Sequence, residues 1–355
     1  MFKVFLSLCD DSLGKQMKYF NKNWMIILAG VLSAGQAWGC EVPEIYDNYD
    51  YVGCLSDGLS VVEKNAKFGF IDKNGRVVID IKYETVGLLG FSEGLVGVYQ
   101  NGRWGFIDTS GKVVIPFNYD YVTEFYQGFA QVMLGDKQGL IDKTGKIIVP
   151  IRYDYVSNVF REGLAAVKNN GKWGYINKSG KIVIPLSYDY APNFNEGLAG
   201  VKKDNQWGFI DTSGKVVIPF QYDFASGFVE GLTTVKKNNK MGFVDKQNNI
   251  VIPLIYDNAM AFEKGLARVE VNDKWGFIDK SGKTVIAIKY DDVSDFSQDL
   301  ASVKINGKYG FIDKSDRVII PFVYDNALPF YNDVAEIELN GETFYIDKQG
   351  NRISQ

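Results

Sequence analysis

The chain has 355 residues, 46% hydrophobic and 14% aromatic, a globular rather than disordered composition with enough apolar mass for a large core. Its 39 basic residues against 43 acidic ones leave a net charge of −4, which excludes a global field drawing it onto nucleic acid or an anionic membrane. It has no histidine, the usual proton shuttle near neutrality and a common zinc ligand, so any chemistry would run on carboxylates, Tyr, Lys or hydroxyls.

In chain order, residues 1–39 read as a leader. Lys18 and Lys22 precede the apolar run Trp24 to Leu32, and small residues follow around Ser33 to Ala37, the layout of a secretory signal peptide with Met17 as its start. The run is shorter than the roughly 20 apolar residues of a membrane span. Cleavage after Ala37 or Gly39 predicts a periplasmic or secreted protein, and the second site places Cys40 at the mature N-terminus, where a lipid anchor is the alternative. With Cys9 removed, Cys40 and Cys54 remain, and in an oxidising compartment their pairing is worth about 3 kcal/mol. Lipidation of Cys40 and that disulfide exclude each other.

The rest of the chain is a repeat. A Gly following an aromatic position recurs at Gly69, Gly105, Gly139, Gly174, Gly208, Gly242, Gly276 and Gly310, spaced by 36, 34, 35, 34, 34, 34 and 34 residues. A fixed period in this range signifies an array of small supersecondary units. Counting from the Tyr of each Tyr-Asp pair gives an N-terminal cap and first repeat over 40–82, seven central repeats over 83–323 and a capping repeat over 324–355.

The unit Tyr188 to Gln221 serves for all. Tyr188 to Gly197 is too short and punctuated for a helix of several turns and reads as an irregular connection with room for one helical turn. Leu198 to Lys202 and Trp207 to Asp211, split by the polar Asp204-Asn205 tip, predict a β-hairpin. Asp211-Thr212-Ser213-Gly214 is a turn, and Lys215 to Ile218 a third strand stopped by Pro219. Each unit is thus a three-stranded antiparallel meander. Val216-Val217-Ile218 has no polar side, which predicts burial on both faces by stacking between neighbouring units.

Lys172-Trp173-Gly174-Tyr175-Ile176, Gln206-Trp207-Gly208-Phe209-Ile210-Asp211 and Lys274-Trp275-Gly276-Phe277-Ile278-Asp279 resemble the WG, or KWG, β-repeat family of bacterial proteins. The resemblance spans about Tyr46 to Asp347. It implies an all-β repeat protein, commonly exported, with no catalytic activity attached to the repeat. The aromatic position holds Phe68, Gln138, Met241 and Tyr309 in four units, which weakens any ligand-platform role for it. The expected fold is an open, curved solenoid of stacked meanders, with a closed propeller-like toroid as the alternative; unit number, three rather than four strands and the atypical terminal units favour the open form.

Three recurring features are assigned to structure. Trp104, Trp173, Trp207 and Trp275 are repeat core rather than a stacking platform. The turn acids, such as Asp211 and Asp279, cap turns, one carboxylate each being too few oxygens for calcium. The Tyr-Asp pairs recur too often to be a catalytic pair and predict a structural hydrogen bond. Lysines at equal repeat positions near the hairpin tips, Lys168, Lys202, Lys203, Lys236, Lys237 and Lys304, with Lys172, Lys240, Lys274 and Lys308, predict a basic stripe along one edge, and acids such as Asp189 and Glu196 an acidic stripe along another.

The sequence therefore predicts an exported, monomeric binding scaffold without cofactor, metal or catalytic residue, engaging a protein or an anionic envelope polymer by its tip edge, no nucleic acid, and a membrane only through a lipidated Cys40. A structural spacer is the alternative. A carboxylate-based glycan hydrolase, through Glu124 or Glu162, ranks last.

Overall fold

The computed structural model describes residues 42–43 and 48–353. The leader, its cleavage site and Cys40 lie outside the described residues, so the Cys40–Cys54 pairing does too. The chain divides into two compact units, one ending at Phe125 and one running from Tyr126.

Among the described residues the fold is all-β, with no helix, and consists of small antiparallel sheets, none closed into a barrel. We number them in chain order: sheet 1 over 51–83, sheet 2 over 85–119, sheet 3 over 129–153, sheet 4 over 155–188, sheet 5 over 198–222, sheet 6 over 224–256, sheet 7 over 258–290, sheet 8 over 292–324 and sheet 9 over 326–353. Sheet 6 is representative: Phe224–Ala225, Leu232–Lys237, Lys240–Asp245 and Ile250–Tyr256 follow one another as neighbours. The last three are the expected meander.

The two-residue opening strand was not expected. Such a strand also opens sheets 2, 4, 7, 8 and 9, while sheet 5 keeps only the bridge between Tyr190 and Lys202. It corrects the reading of the connection as irregular with a helical turn. The segment stays extended because its backbone finds partners in the first long strand, Asp223 N–H donating to Lys236 O at 2.8 Å and Ser226 N–H to Thr234 O at 3.0 Å. With four strands in these sheets, strand number no longer argues for an open array over a ring.

Turn chemistry sets the register. The hairpin tip Asn238-Asn239 has both residues at positive φ, 52° and 62°, the twist-matched two-residue loop. A second such turn closes each connection, with Glu230 at φ 53° beside Gly231. At the opposite turn, Asp211 Oδ1 accepts from the N–H groups of Ser213 at 2.9 Å and Lys215 at 3.0 Å.

Within each compact unit, neighbouring sheets pack face to face. One apolar cluster joins Trp173, Tyr175, Ile184 and Tyr188 of sheet 4, through Phe194 of the connection, to Ala199, Val201 and Ile210 of sheet 5. Its counterparts join sheets 6 to 7 and 7 to 8. The middle long strand is buried on both faces, as Met241, Gly242, Phe243 and Val244 show. The third long strand is not. Val216 and Val217 are exposed and only Ile218 of that triplet is buried, because this strand is the sheet edge and its first residues overhang the core.

Candidate binding surface

The WG dipeptide is positioned by a bulge. Trp207 pairs with Tyr222 and Phe209 with Ile218, so the edge strand carries extra residues across Gly208. A Cβ on Gly208 would lie 2.7 Å from the Ile218 carbonyl oxygen and 3.0 Å from the Phe220 nitrogen, closer than side-chain carbons approach. Backbone approach, not ligand access, is what the glycine serves.

The indole beside it turns into the stack. Trp173 is 5% exposed and packs against Tyr155 at 5.3 Å and Tyr190 at 5.7 Å between ring centroids. Tyr190 in turn meets Trp207 at 5.6 Å, and Trp207 meets Phe224 at 5.8 Å. These rings meet at 52° to 62°, edge towards face, the packing geometry of aromatic pairs rather than a row of open faces. Trp104, Trp207 and Trp275 are half-buried, with Trp104 held between Tyr99 and Tyr121.

The tip lysines fall into two groups. Lys172 donates to Asp189 at 2.6 Å, Lys137 to Asp154 at 2.7 Å and Lys240 to Asp257 at 2.5 Å, while Lys274 and Lys308 bind Asp291 and Asp325. Each pair reaches from one sheet to the aspartate after the next Tyr. The second oxygen of that aspartate accepts from the following hairpin tip, as Asn272 N–H to Asp257 Oδ2 at 2.9 Å and Asn340 N–H to Asp325 Oδ2 at 2.7 Å. The Lys172 ammonium holds the Asp189 carboxyl below its ordinary range, and Asp189 raises Lys172 in return. Basic and acidic stripes are therefore not separate, as expected from the sequence, but interleaved, because the Tyr-Asp aspartate folds back onto a tip instead of staying in the connection.

Lys202, Lys203, Lys236 and Lys237 belong to the other group and form no ion pair among the described residues. Lys168 lies 5.4 Å from the Trp173 ring centroid and Lys304 5.1 Å from that of Tyr309, each ammonium over a ring face. Sheets 5 and 6 thus present two doubled lysines at adjacent tips, beside the Tyr190–Trp207–Phe224 row. At this point Gln206 stands where other units carry the paired lysine, and Asp223 accepts from Asn238 N–H at 2.9 Å. Between the sheet 6 tip and its edge strand lies an open depression of about 320 Å³, lined by Lys237, Asn238, Lys240, Ile250, Pro253 and Leu254. Sequence reasoning found the lysines but not which were neutralised; the Gln at 206 was the available signal.

Other acids are placed structurally. Glu162 and Glu196 accept from the N–H of Gly197 at 2.9 Å and Gly231 at 3.0 Å, in the equivalent turn one repeat on. Glu124 lies beside Gly87. Among the described residues no group of three or more His, Cys, Asp or Glu is gathered as for a metal ion.

The model of the WG containing repeat matches eight successive segments, residues 68–104, 104–137, 139–173, 173–207, 207–240, 241–275, 275–309 and 309–342. No curated protein matches the sequence. Among solved structures, the chain is similar to a eukaryotic initiation factor at 9% identity, with 83% of this chain and 94% of that one covered and a TM-score of 0.47. It is similar also to BamB from Moraxella catarrhalis, at 9% identity, 79% and 92% coverage and a TM-score of 0.34. A third is Hsv2 from Kluyvelomyces marxianus, at 11% identity, 70% and 97% coverage and a TM-score of 0.33. Likenesses this distant carry no argument about function.

Proposed function

Because the chain belongs to the family of WG repeat proteins, a β-scaffold of equivalent units, we propose that it is an exported binding scaffold whose hairpin tips on sheets 5 and 6 engage an anionic envelope polymer. The observation that supports this reading is the cluster Lys202, Lys203, Lys236 and Lys237, left without carboxylate partners where five other tip cations are paired from sheet to sheet. A polymer of repeating charge gains affinity by touching many equivalent units weakly. No catalytic role is proposed for any residue, and no cofactor.

The test is binding of a polyuronate chain to the intact protein, with neutral dextran as control. Binding should weaken with salt, and changing all four lysines to Glu should reduce it by about tenfold or more. Salt-insensitive binding, or a charge-reversed protein that binds as before, removes the proposal. Export is tested separately by the intact mass of the protein recovered from its host, which reads leader removal, lipid and disulfide together.

A further inference from the structure

The tips are one margin of the sheets; the third long strands form another, and nothing in the proposed polymer site uses it. In sheets 4, 5 and 6 this strand is hydrogen-bonded on one side only. Each begins with two aliphatic residues, Ile182-Val183, Val216-Val217 and Ile250-Val251, every one of them between 38 and 61% exposed. Because these sheets pack face to face, their edges succeed one another at roughly 10 Å, and the pairs make a corrugated apolar strip. A single exposed Val needs no explanation, but pairs in register on consecutive sheets do.

Two further features narrow what the strip faces. Pro185, Pro219 and Pro253 sit exposed two residues beyond the pairs, so each edge lacks an N–H in mid-strand and is a poor template for an added β-strand. Charge is the second. Lys181 and Lys215 immediately precede two of the pairs, and at the sheet 4 turn Asn177 replaces the usual aspartate, leaving Lys178 and Lys181 without a turn carboxylate. Asp211 and Asp245, the turn acids of sheets 5 and 6, accept from the Ser213 and Gln247 N–H groups of their turns.

We propose that this strip is a docking surface for an anionic lipid bilayer. Such a surface accepts aliphatic side chains without main-chain hydrogen bonds and supplies negative headgroups to the flanking lysines. The test uses the intact protein and sedimentation with vesicles of phosphatidylcholine alone or of phosphatidylcholine with phosphatidylglycerol. Only the anionic vesicles should carry the protein down, and salt should release it. Changing Ile182, Val183, Val216 and Val217 to Ser should weaken vesicle binding about tenfold while leaving polyuronate binding unchanged, which separates this proposal from the polymer site. If that variant does not fold, Lys178→Glu with Lys181→Glu and Lys215→Glu, all on exposed turns, carries the test with the same expected loss. No sedimentation with anionic vesicles, equal sedimentation with neutral ones, or variants that bind like the parent overturn it. Binding of the strip to a soluble acidic protein without any vesicle binding overturns it as well.

Discussion

At the scale of single residues, the motif is explained by contact distances. Gly208 leaves no room for a methyl group because the bulged edge strand crosses directly over it. Gly208→Ala should cost about 1–3 kcal/mol, read as a lowered chemical-denaturation midpoint, since the backbone at Ile218 must shift. Glu196 is held at φ 52°, an uncommon conformation for a side chain of its size, and is compensated by accepting from Gly231 N–H and pairing with Lys246 at 3.3 Å. Glu196→Ala should lose about 1 kcal/mol, and Glu196→Gln should lose less, because the amide oxygen keeps the acceptor.

The same residues set the pH response. Asp211, held low by the Ser213 hydroxyl, Asp189, held low by Lys172, and Glu230, held low by Lys280, all have folded values below the unfolded ones. Their contribution is complete above the unfolded values near pH 4 and is lost as pH falls through the folded ones. At the other end, burial and donation to Asp292 push Tyr309 up to about 12, so its contribution is complete below about pH 10 and is lost as pH rises from there. With no histidine in the chain, melting temperature should be nearly flat from about pH 5 to 9 and fall on both sides. A step near pH 6.5 would contradict this assignment.

At the scale of the element, sheets 5, 6 and 7 are each joined to the connection that follows by one aromatic pair. Phe209 meets Phe228 at 4.9 Å, Phe243 meets Phe262 at 4.8 Å and Phe277 meets Phe296 at 5.0 Å, in the same register position. Phe209 and Phe228 are fully buried, and their cluster includes Val235 and Val244 of the next sheet. Phe228→Ala should therefore cost about 3–5 kcal/mol, far more than loss of any tip ion pair. Calorimetry of Phe228→Ala and Lys172→Met side by side would check the order. The hairpin, the turns and their residues were legible in the sequence because two-residue loops of Asn, Asp and Gly have few conformations. The opening strand was not, since two extended residues leave no periodicity to read.

At the scale of the molecule, stability is a property of interfaces between sheets. A single unit buries its middle strand only when a neighbour covers it, so a peptide spanning 224–256 should be unfolded by circular dichroism. The compact unit 126–355 contains several such interfaces and should show a cooperative melt on its own; a gradual, featureless one would count against interface-borne stability. The tip surface belongs to this scale too. Lys202 and Lys236 are apparent in the sequence as lysines at one repeat position, but their lack of partners depends on where the aspartates of neighbouring sheets reach.

The 34-residue spacing, the Asn-rich tips and the Asp-led turns by themselves determined an all-β repeat of hairpins, because period and turn residues act locally. Only the tertiary structure decided that Val216 and Val217 face outward, that Lys172 is neutralised by Asp189 while Lys203 is not, and that Gly208 lies under a bulge. Each of those outcomes is a distance between groups in different strands or sheets, which neither period nor turn residues specify.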